Sequence, residues 1–293
     1  MPKQKTNTEM ILKFIESKKE TVSKQTIKTY LQIANNMSFS VMLSQPTIIK
    51  KLNELYDNPN TKAMYLNLII LVRRDNDEPT EKLISFRNGL RDLIIKTRKE
   101  KMTDIKDDLP TYNELMGKLN DMSGIRYIVN FLFLKYGFRN NDLNLKYVSK
   151  LPADKENENY LIHSKNKVLL NINNYKTEKT FGEKNVIIED KKFKEELKSL
   201  KLKDGEYLIS KKNGDKLKVS SFNERVLNLT IDRLGEAKMF KILIGHLLDI
   251  KDFSKIEKLV ETRGTSISTI MKSYNIHNNN ESKLKELESK NEE

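Results

Sequence analysis

Apolar side chains recur every third or fourth position through most of this chain and alternate with polar ones only near its middle. That pattern predicts a mainly α protein with a small β-sheet, an α+β fold. Ile27, Tyr30, Leu31 and Ile33 mark a first helix over 26–33, with Ser23 just upstream as its N-cap. Pro46 stands where a first helical turn accepts proline, and Ile48, Ile49, Leu52 and Leu55 form the apolar stripe of a second helix. Beyond the Asn58-Pro59-Asn60 break, helices are predicted over 61–74 and 80–101. Further helices are predicted over 112–121 and 125–136, the latter ending at Gly137 as a C-cap. The period then shortens, and strands are predicted over 147–151, over 160–174 with a turn near Ser164-Lys165-Asn166, and over 185–189. Helical spacing returns over 192–201, 220–234, 237–250, 253–261 and 266–277.

Punctuation between these runs suggests the domain layout. Residues 102–112 concentrate acidic side chains and end in Leu109-Pro110, and proline disfavours helix in the residue before it, so 104–111 read as a linker. On this reading an N-terminal extension (1–20) precedes a helical domain (21–103), and a mixed domain (112–277) follows the linker. Residues 278–293 form a charged tail whose large apolar residues are Leu284 and Leu287, expected to be mobile or a short docking helix.

A length of 293 residues suits two modest domains, each able to bury a core. The formal charge of +13 points to a polyanionic partner, because lysine and arginine near phosphates release condensed counterions. Double-stranded DNA is the leading expectation. A lysine-, asparagine- and isoleucine-rich composition also arises by drift in a low-G+C genome, so charge alone leaves both origins open. The absence of cysteine excludes disulfides, thiolate metal sites and cysteine nucleophiles. His163, His246 and His277 are too dispersed for a metal cluster, so neither a metal nor a cofactor is expected. Apolar stretches such as 66–72 and 128–134 fall short of the roughly 18–20 residues that span a bilayer. The polar start has no secretory apolar core, and the expected location is intracellular, with no membrane partner.

Arg73, Arg74, Arg87, Arg91 and Arg98 cluster on the third and fourth predicted helices. Basic side chains on one surface supply sequence-independent phosphate contacts, though the same residues also suit an ordinary solvated helix face.

Three fragments far apart in sequence carry the candidate chemistry: GFRNNDLNLKYV at 137–148, NNYKTEKTFGEKNVII at 173–188 and RGTSISTIMKSYNIH at 263–277. Together they resemble the active-site boxes of the tyrosine recombinases, the integrase family that cuts and rejoins DNA through a tyrosine nucleophile. The resemblance implies a core-binding domain over 21–103, whose first helix the Ser23-x-x-Thr26-x-x-x-Tyr30 pattern is similar to, and a catalytic domain over 112–277. It also implies Tyr274 as nucleophile, ten residues past Gly264, and Arg139 as a phosphate clamp oriented by Asp142. Lys176, followed by Thr177, takes the place of the general acid, with Lys179 and Lys184 close by.

Three positions depart from the family pattern. Lys238 and Lys241 stand where the family has a histidine and its second arginine, and Thr265 where it has histidine or tryptophan. Lysine keeps the charge but not the planar fork that grips two phosphate oxygens. Arg263 and His246 are the candidates to make good the loss, and Lys179, Lys238 and Arg263 join the expected DNA contacts. Read singly, Arg139 with Asp142 also suits a surface ion pair, Lys176 a solvated lysine and Tyr274 a packed helix end. The implied function is strand transfer through a 3′-phosphotyrosyl intermediate, in a homo-oligomer that synapses as a tetramer, as in a viral or mobile-element integrase. The alternative is a degenerate relative kept as a DNA-binding or DNA-organising protein, and a basic scaffold unrelated to DNA is a third reading.

Overall fold

A computed structural model of the chain describes residues 2–104, 109–155, 158–164 and 167–274, with the side chains of 2–8, 24, 98–99, 101–104 and 271–274 outside that description. The chain divides into two compact units, Met1–Ile105 and Lys106–Glu293.

The first unit is all helix: α1 (Pro2–Ser17), α2 (Lys24–Asn36), α3 (Gln45–Leu55), α4 (Pro59–Asp75) and α5 (Glu81–Asp104). Ser23 caps α2 by accepting the Thr26 N–H, Ser44 caps α3 ahead of Pro46, and Asn58 caps α4 ahead of Pro59. These are the stops and starts that the punctuation indicated. The first helix is a correction to the sequence reading, which left 1–20 as an extension. Its polar opening hides an i, i+3, i+4 set, Ile11, Phe14 and Ile15, that is buried in the core of this unit. Helix α4 is buried on several faces, through Ala63, Tyr65, Leu66, Leu68, Ile69, Ile70 and Val72, and so runs through the core instead of lying on it.

Arg73 corrects a second expectation. It is 3% exposed and is no surface cation. Its guanidinium donates to the carbonyls of Val41 at 2.8 Å, Leu43 at 2.9 Å and Pro79 at 2.9 Å, and pairs with Glu78 at 3.1 Å. It braces two loops against α4 and is not available to DNA.

The second unit opens with α6 (Tyr112–Asn120), started by a Thr111–Glu114 capping box, and α7 (Gly124–Tyr136). A turn of 3-10 helix, Asn140–Leu143, leads into β1 (Leu145–Val148), β2 (Asn159–Ser164) and β3 (Lys167–Ile172). Next come a short α8 (Glu178–Phe181), β4 (Lys184–Ile188), α9 (Lys191–Ser199) and α10 (Val219–Leu229). Helices α11 (Glu236–Asp249), α12 (Phe253–Arg263) and α13 (Ile267–Tyr274) complete the described chain. The sheet runs in the order β1-β2-β3-β4, with β1 parallel to β2 and the other neighbours antiparallel. The protein is thus mainly α with a small mixed sheet, the α+β class that the patterning predicts.

Eight successive residues of α7, Tyr127–Leu134, are buried, and α11 buries Met239, Phe240, Ile242–Gly245, Leu247 and Leu248, so these two helices carry the core of the unit. Between them, Gly137 ends α7 at φ +61, and a Cβ there would meet the Phe240 ring at 2.6 Å. Glycine is required both for the left-handed cap and for the close approach of α11. Helix α10 stops at Leu229, short of the predicted 234, because Asn130 claims the backbone beyond it. Asn130, fully buried, donates to the Leu229 carbonyl at 3.0 Å and accepts from the Ile231 N–H at 2.9 Å. Asp232 and Arg233 then turn the chain through the left-handed region at φ 49 and 54.

Candidate functional site

The three sequence fragments meet at the C-terminal end of α12. The helix closes in a Schellman arrangement: the Gly264 N–H reaches the Glu261 carbonyl at 3.0 Å and the Thr265 N–H reaches the Val260 carbonyl at 3.2 Å, with Gly264 left-handed at φ +56. Ser266 then starts α13, accepting the Thr269 N–H at 3.1 Å. The glycine and the Ser-x-x-Thr of this box are therefore a helix stop and a helix start in immediate succession, which aims α13 and its final residue, Tyr274. The Tyr274 side chain, and His277 altogether, lie outside the described residues.

The last carbonyls of a helix lack intrahelical partners and carry its negative dipole end. Here three in a row are taken by side chains from the other two fragments. Lys184 donates to the Thr262 carbonyl at 3.1 Å, Arg139 to the Arg263 carbonyl, and Thr177 to the Gly264 carbonyl at 2.5 Å. Gly264 makes this approach feasible, because a Cβ there would lie 2.4 Å from the Lys184 ammonium, 2.7 Å from the Tyr175 ring and 2.8 Å from the Thr177 hydroxyl.

Lys184 opens β4, and its ammonium lies 3.9 Å from the centre of the Tyr175 ring. Burial brings its pKa down to about 8, opposed by Asp142 and reinforced by Arg139. Tyr175 donates its hydroxyl to the Gly182 carbonyl at 2.7 Å, and burial raises that phenol to about 12. Asp142 accepts the Arg139 N–H at 2.8 Å; burial lifts its carboxyl to about 6 against the pull of Arg139 and Arg263. A network of asparagines holds the base of the same hairpin. Asn159 accepts from the Asn173 and Asn174 N–H groups at 2.9 and 2.7 Å, and Asn171, fully buried, donates to Glu183 at 2.6 Å and Asn185 at 2.8 Å.

Other sequence candidates lie elsewhere. Lys176 is exposed in the turn before α8, and Lys179 is exposed on α8. Lys238 is exposed in the first turn of α11, while Lys241, one turn on, is half-buried. His246 stacks on Tyr112 with ring centroids 4.3 Å apart, and so cannot stand in for a missing arginine at α12. Arg263 corrects the expectation of a DNA contact. It is 1% exposed, lies over the Phe240 ring at 4.0 Å, donates to the carbonyls of Gly137 at 2.5 Å and Phe138 at 3.3 Å, and pairs with Glu236 at 2.9 Å. The other Glu236 oxygen accepts the Asn140 N–H. Arg263 and Glu236 thus shape the 137–142 turn from beneath and present Arg139 above it.

In the first unit, Arg74, Arg87 and Arg91 gather on α4 and α5. The Arg87 guanidinium is held below its ordinary pKa by burial and then by its neighbours Arg91 and Arg74. Arg91 donates to Asn67 and Arg87 to Asn88, each at 3.3 Å. The ion pairs of this unit among the described residues are Lys19–Glu16, Lys50–Glu54, Lys51–Glu54 and Arg73–Glu78, so none neutralises the trio. Arg98 follows on α5, with its side chain outside the described residues.

No protein-family profile matches the chain, and no curated protein is similar to it. The crystal structure of XerA recombinase is similar to 97% of this chain over 98% of its own, with 13% identity and a TM-score of 0.38.

Around the end of α12 stand three cations, Arg139, Arg263 and Lys184, against two carboxylates, Asp142 and Glu236. Among these five side chains the surplus is positive. Among the described residues no group of histidines and carboxylates has the makings of a metal site, and no helix is long and apolar enough to cross a membrane. Tyr175 and Glu236 are the site residues that the sequence did not single out. Lys184 was named there only as a neighbour of Lys176, and Thr177 only as the second residue of the Lys-Thr phrase; for Tyr175 and Glu236 there was no signal.

Proposed function

We propose that this protein binds double-stranded DNA and cuts and rejoins it in the manner of a tyrosine recombinase. The observation that carries the reading is the convergence of the 137–148, 173–188 and 263–277 fragments on the end of α12, with Arg139 and Lys184 side by side. Chains that merely share codon bias have no reason to bring these three phrases together. In the reaction the Tyr274 oxygen attacks phosphorus, loses its proton and forms a 3′-phosphotyrosyl bond. The bond to the 5′ oxygen breaks, and that oxygen leaves with a proton as a free hydroxyl. Reversal by another 5′ hydroxyl rejoins the strand, with no external energy source. Arg139 neutralises the charge that builds on the non-bridging oxygens. Lys184, half-buried with a pKa near 8, is better suited than the exposed Lys176 to deliver the leaving-group proton. Arg74, Arg87, Arg91 and Arg98 of the first unit contact the DNA backbone, as do Lys179 and Lys238 of the second. Synapsis as a homotetramer, inside a cell, belongs to the same proposal.

The buried position of Arg263 favours a second reading. With Lys241 in the place of the second arginine and Arg263 enclosed by protein, the phosphate clamp lacks a guanidinium, and loss of one such donor commonly costs about a hundredfold or more in rate. A degenerate relative that binds DNA without cutting it fits that feature. A nicked suicide duplex, in a library of random sequences, separates the two. Strand transfer predicts a denaturant-resistant protein–DNA adduct that Tyr274→Phe abolishes and Lys241→Arg accelerates. Binding with no adduct from either wild type or Lys241→Arg establishes the degenerate reading.

A further inference from the structure

Arg139 and Lys184 reach the end of α12 on long side chains with several rotatable bonds. Such side chains do not set where a backbone lies. Thr177 is different. Its side chain turns about a single torsion, so a hydrogen bond from its hydroxyl fixes the main chain that carries it. Its own carbonyl starts α8, accepting from Thr180 at 3.0 Å and Phe181 at 3.1 Å, while its hydroxyl reaches the Gly264 carbonyl at 2.5 Å. The loop behind it is closed on itself by Tyr175 and Gly182 at 2.7 Å.

We propose that Thr177 is the positioning residue of the site, fastening the hairpin loop to the α12–α13 junction so that Lys184, Arg139 and the first turn of α13 keep one geometry. The functional consequence rests on the strand-transfer reading; the structural one rests on the contacts alone. Thr177 touches no reacting atom in this account. Its hydroxyl is a tie that can be cut without deleting either cation, and Thr177→Val cuts it with almost no change of shape, whereas Thr177→Ser keeps it.

The test uses the whole chain with its lysines reductively methylated with carbon-13, each amine followed by NMR through a pH titration. The groups around the Lys184 amine are the Tyr175 and Phe181 rings, the Thr262 carbonyl, Asp142 and Arg139. In wild type and Thr177→Ser, Lys184 is expected to titrate well below an ordinary lysine. In Thr177→Val the loop opens, the amine meets water, and its titration moves up toward the ordinary lysine value. On a nicked duplex, Thr177→Val is expected to slow adduct formation about tenfold, the measure of one hydrogen bond, with duplex affinity unchanged and Thr177→Ser close to wild type. An unchanged Lys184 titration in Thr177→Val overturns the proposal, and so does a Thr177→Ser variant as impaired as Thr177→Val. If the titration moves but wild type forms no adduct, the positioning role stands and the strand-transfer reading falls.

Discussion

The arginines on α4 and α5 and the cations at the end of α12 carry the same charge in opposite circumstances. Arg74, Arg87 and Arg91 crowd one another with no ion pair to a carboxylate among the described residues, and burial first, then this crowding, disfavours the charged form at Arg87. Arg139, Arg263 and Lys184 are each engaged by backbone carbonyls, and Arg263 by Glu236 as well. Crowded like charges on a surface are at their lowest energy when an anion arrives, which is how a non-specific phosphate grip behaves. Cations anchored on carbonyls are instead fixed in place, which is what chemistry at one phosphate demands. Burial therefore separates arginines that sequence presents as equivalent, and Arg73 and Arg74, adjacent in the chain, fall on opposite sides of that division.

The largest effect should come from cutting the enclosed arginines. Arg263→Ala strands Glu236 and the carbonyls of Gly137 and Phe138, and Arg73→Ala strands those of Val41, Leu43 and Pro79. Each is expected to lower stability by several kcal/mol, on the order of 1–3 kcal/mol for each enclosed carbonyl left without its donor. Arg74→Ala is expected to stay within about 0.5 kcal/mol. Denaturant unfolding of the variants measures all three, and equal losses at Arg73 and Arg74 would erase the distinction.

A smaller effect concerns Lys184. Its folded pKa, about 8, lies below the ordinary value of 10.5, so between these the unfolded chain binds more protons than the folded one. Its contribution to stability is unfavourable below pH 8 and is relieved as pH rises from 8 to 10.5. Lys184→Gln should accordingly flatten the rise of stability across that window relative to wild type. Parallel pH–stability curves for the two proteins would mean that Lys184 is solvated and not held against Tyr175.

Much of the fold was legible because its signals are local. Ser23, Ser44, Asn58 and Gly137 cap helices from positions that sequence grammar assigns to caps, and the period of two around 160–172 marks β2 and β3. What escaped is long-range. That Asn130 would end α10 and that Glu236 would hold the 137–142 turn depend on contacts across 101 and 96 residues, and that Arg263 would face Phe240 depends on a contact from one helix to another; no local pattern encodes any of them. The three fragments of the candidate site were readable one by one. Their hydrogen bonds to successive carbonyls of α12 were not, because a helix end gives no sign in sequence of which side chains will reach it.

The proposed grip on duplex DNA runs through Arg74, Arg87 and Arg91, with the enclosed arginines supporting the fold. It is tested most directly by the dependence of duplex affinity on salt, measured for wild type and for Arg74→Ala/Arg87→Ala/Arg91→Ala. Each phosphate contact contributes roughly 0.9 to the slope of log affinity against log salt, so the triple variant should lose about 2–3 units of slope along with most of its low-salt affinity. A triple variant that keeps the wild-type slope, or a wild type whose binding ignores salt, would contradict the account.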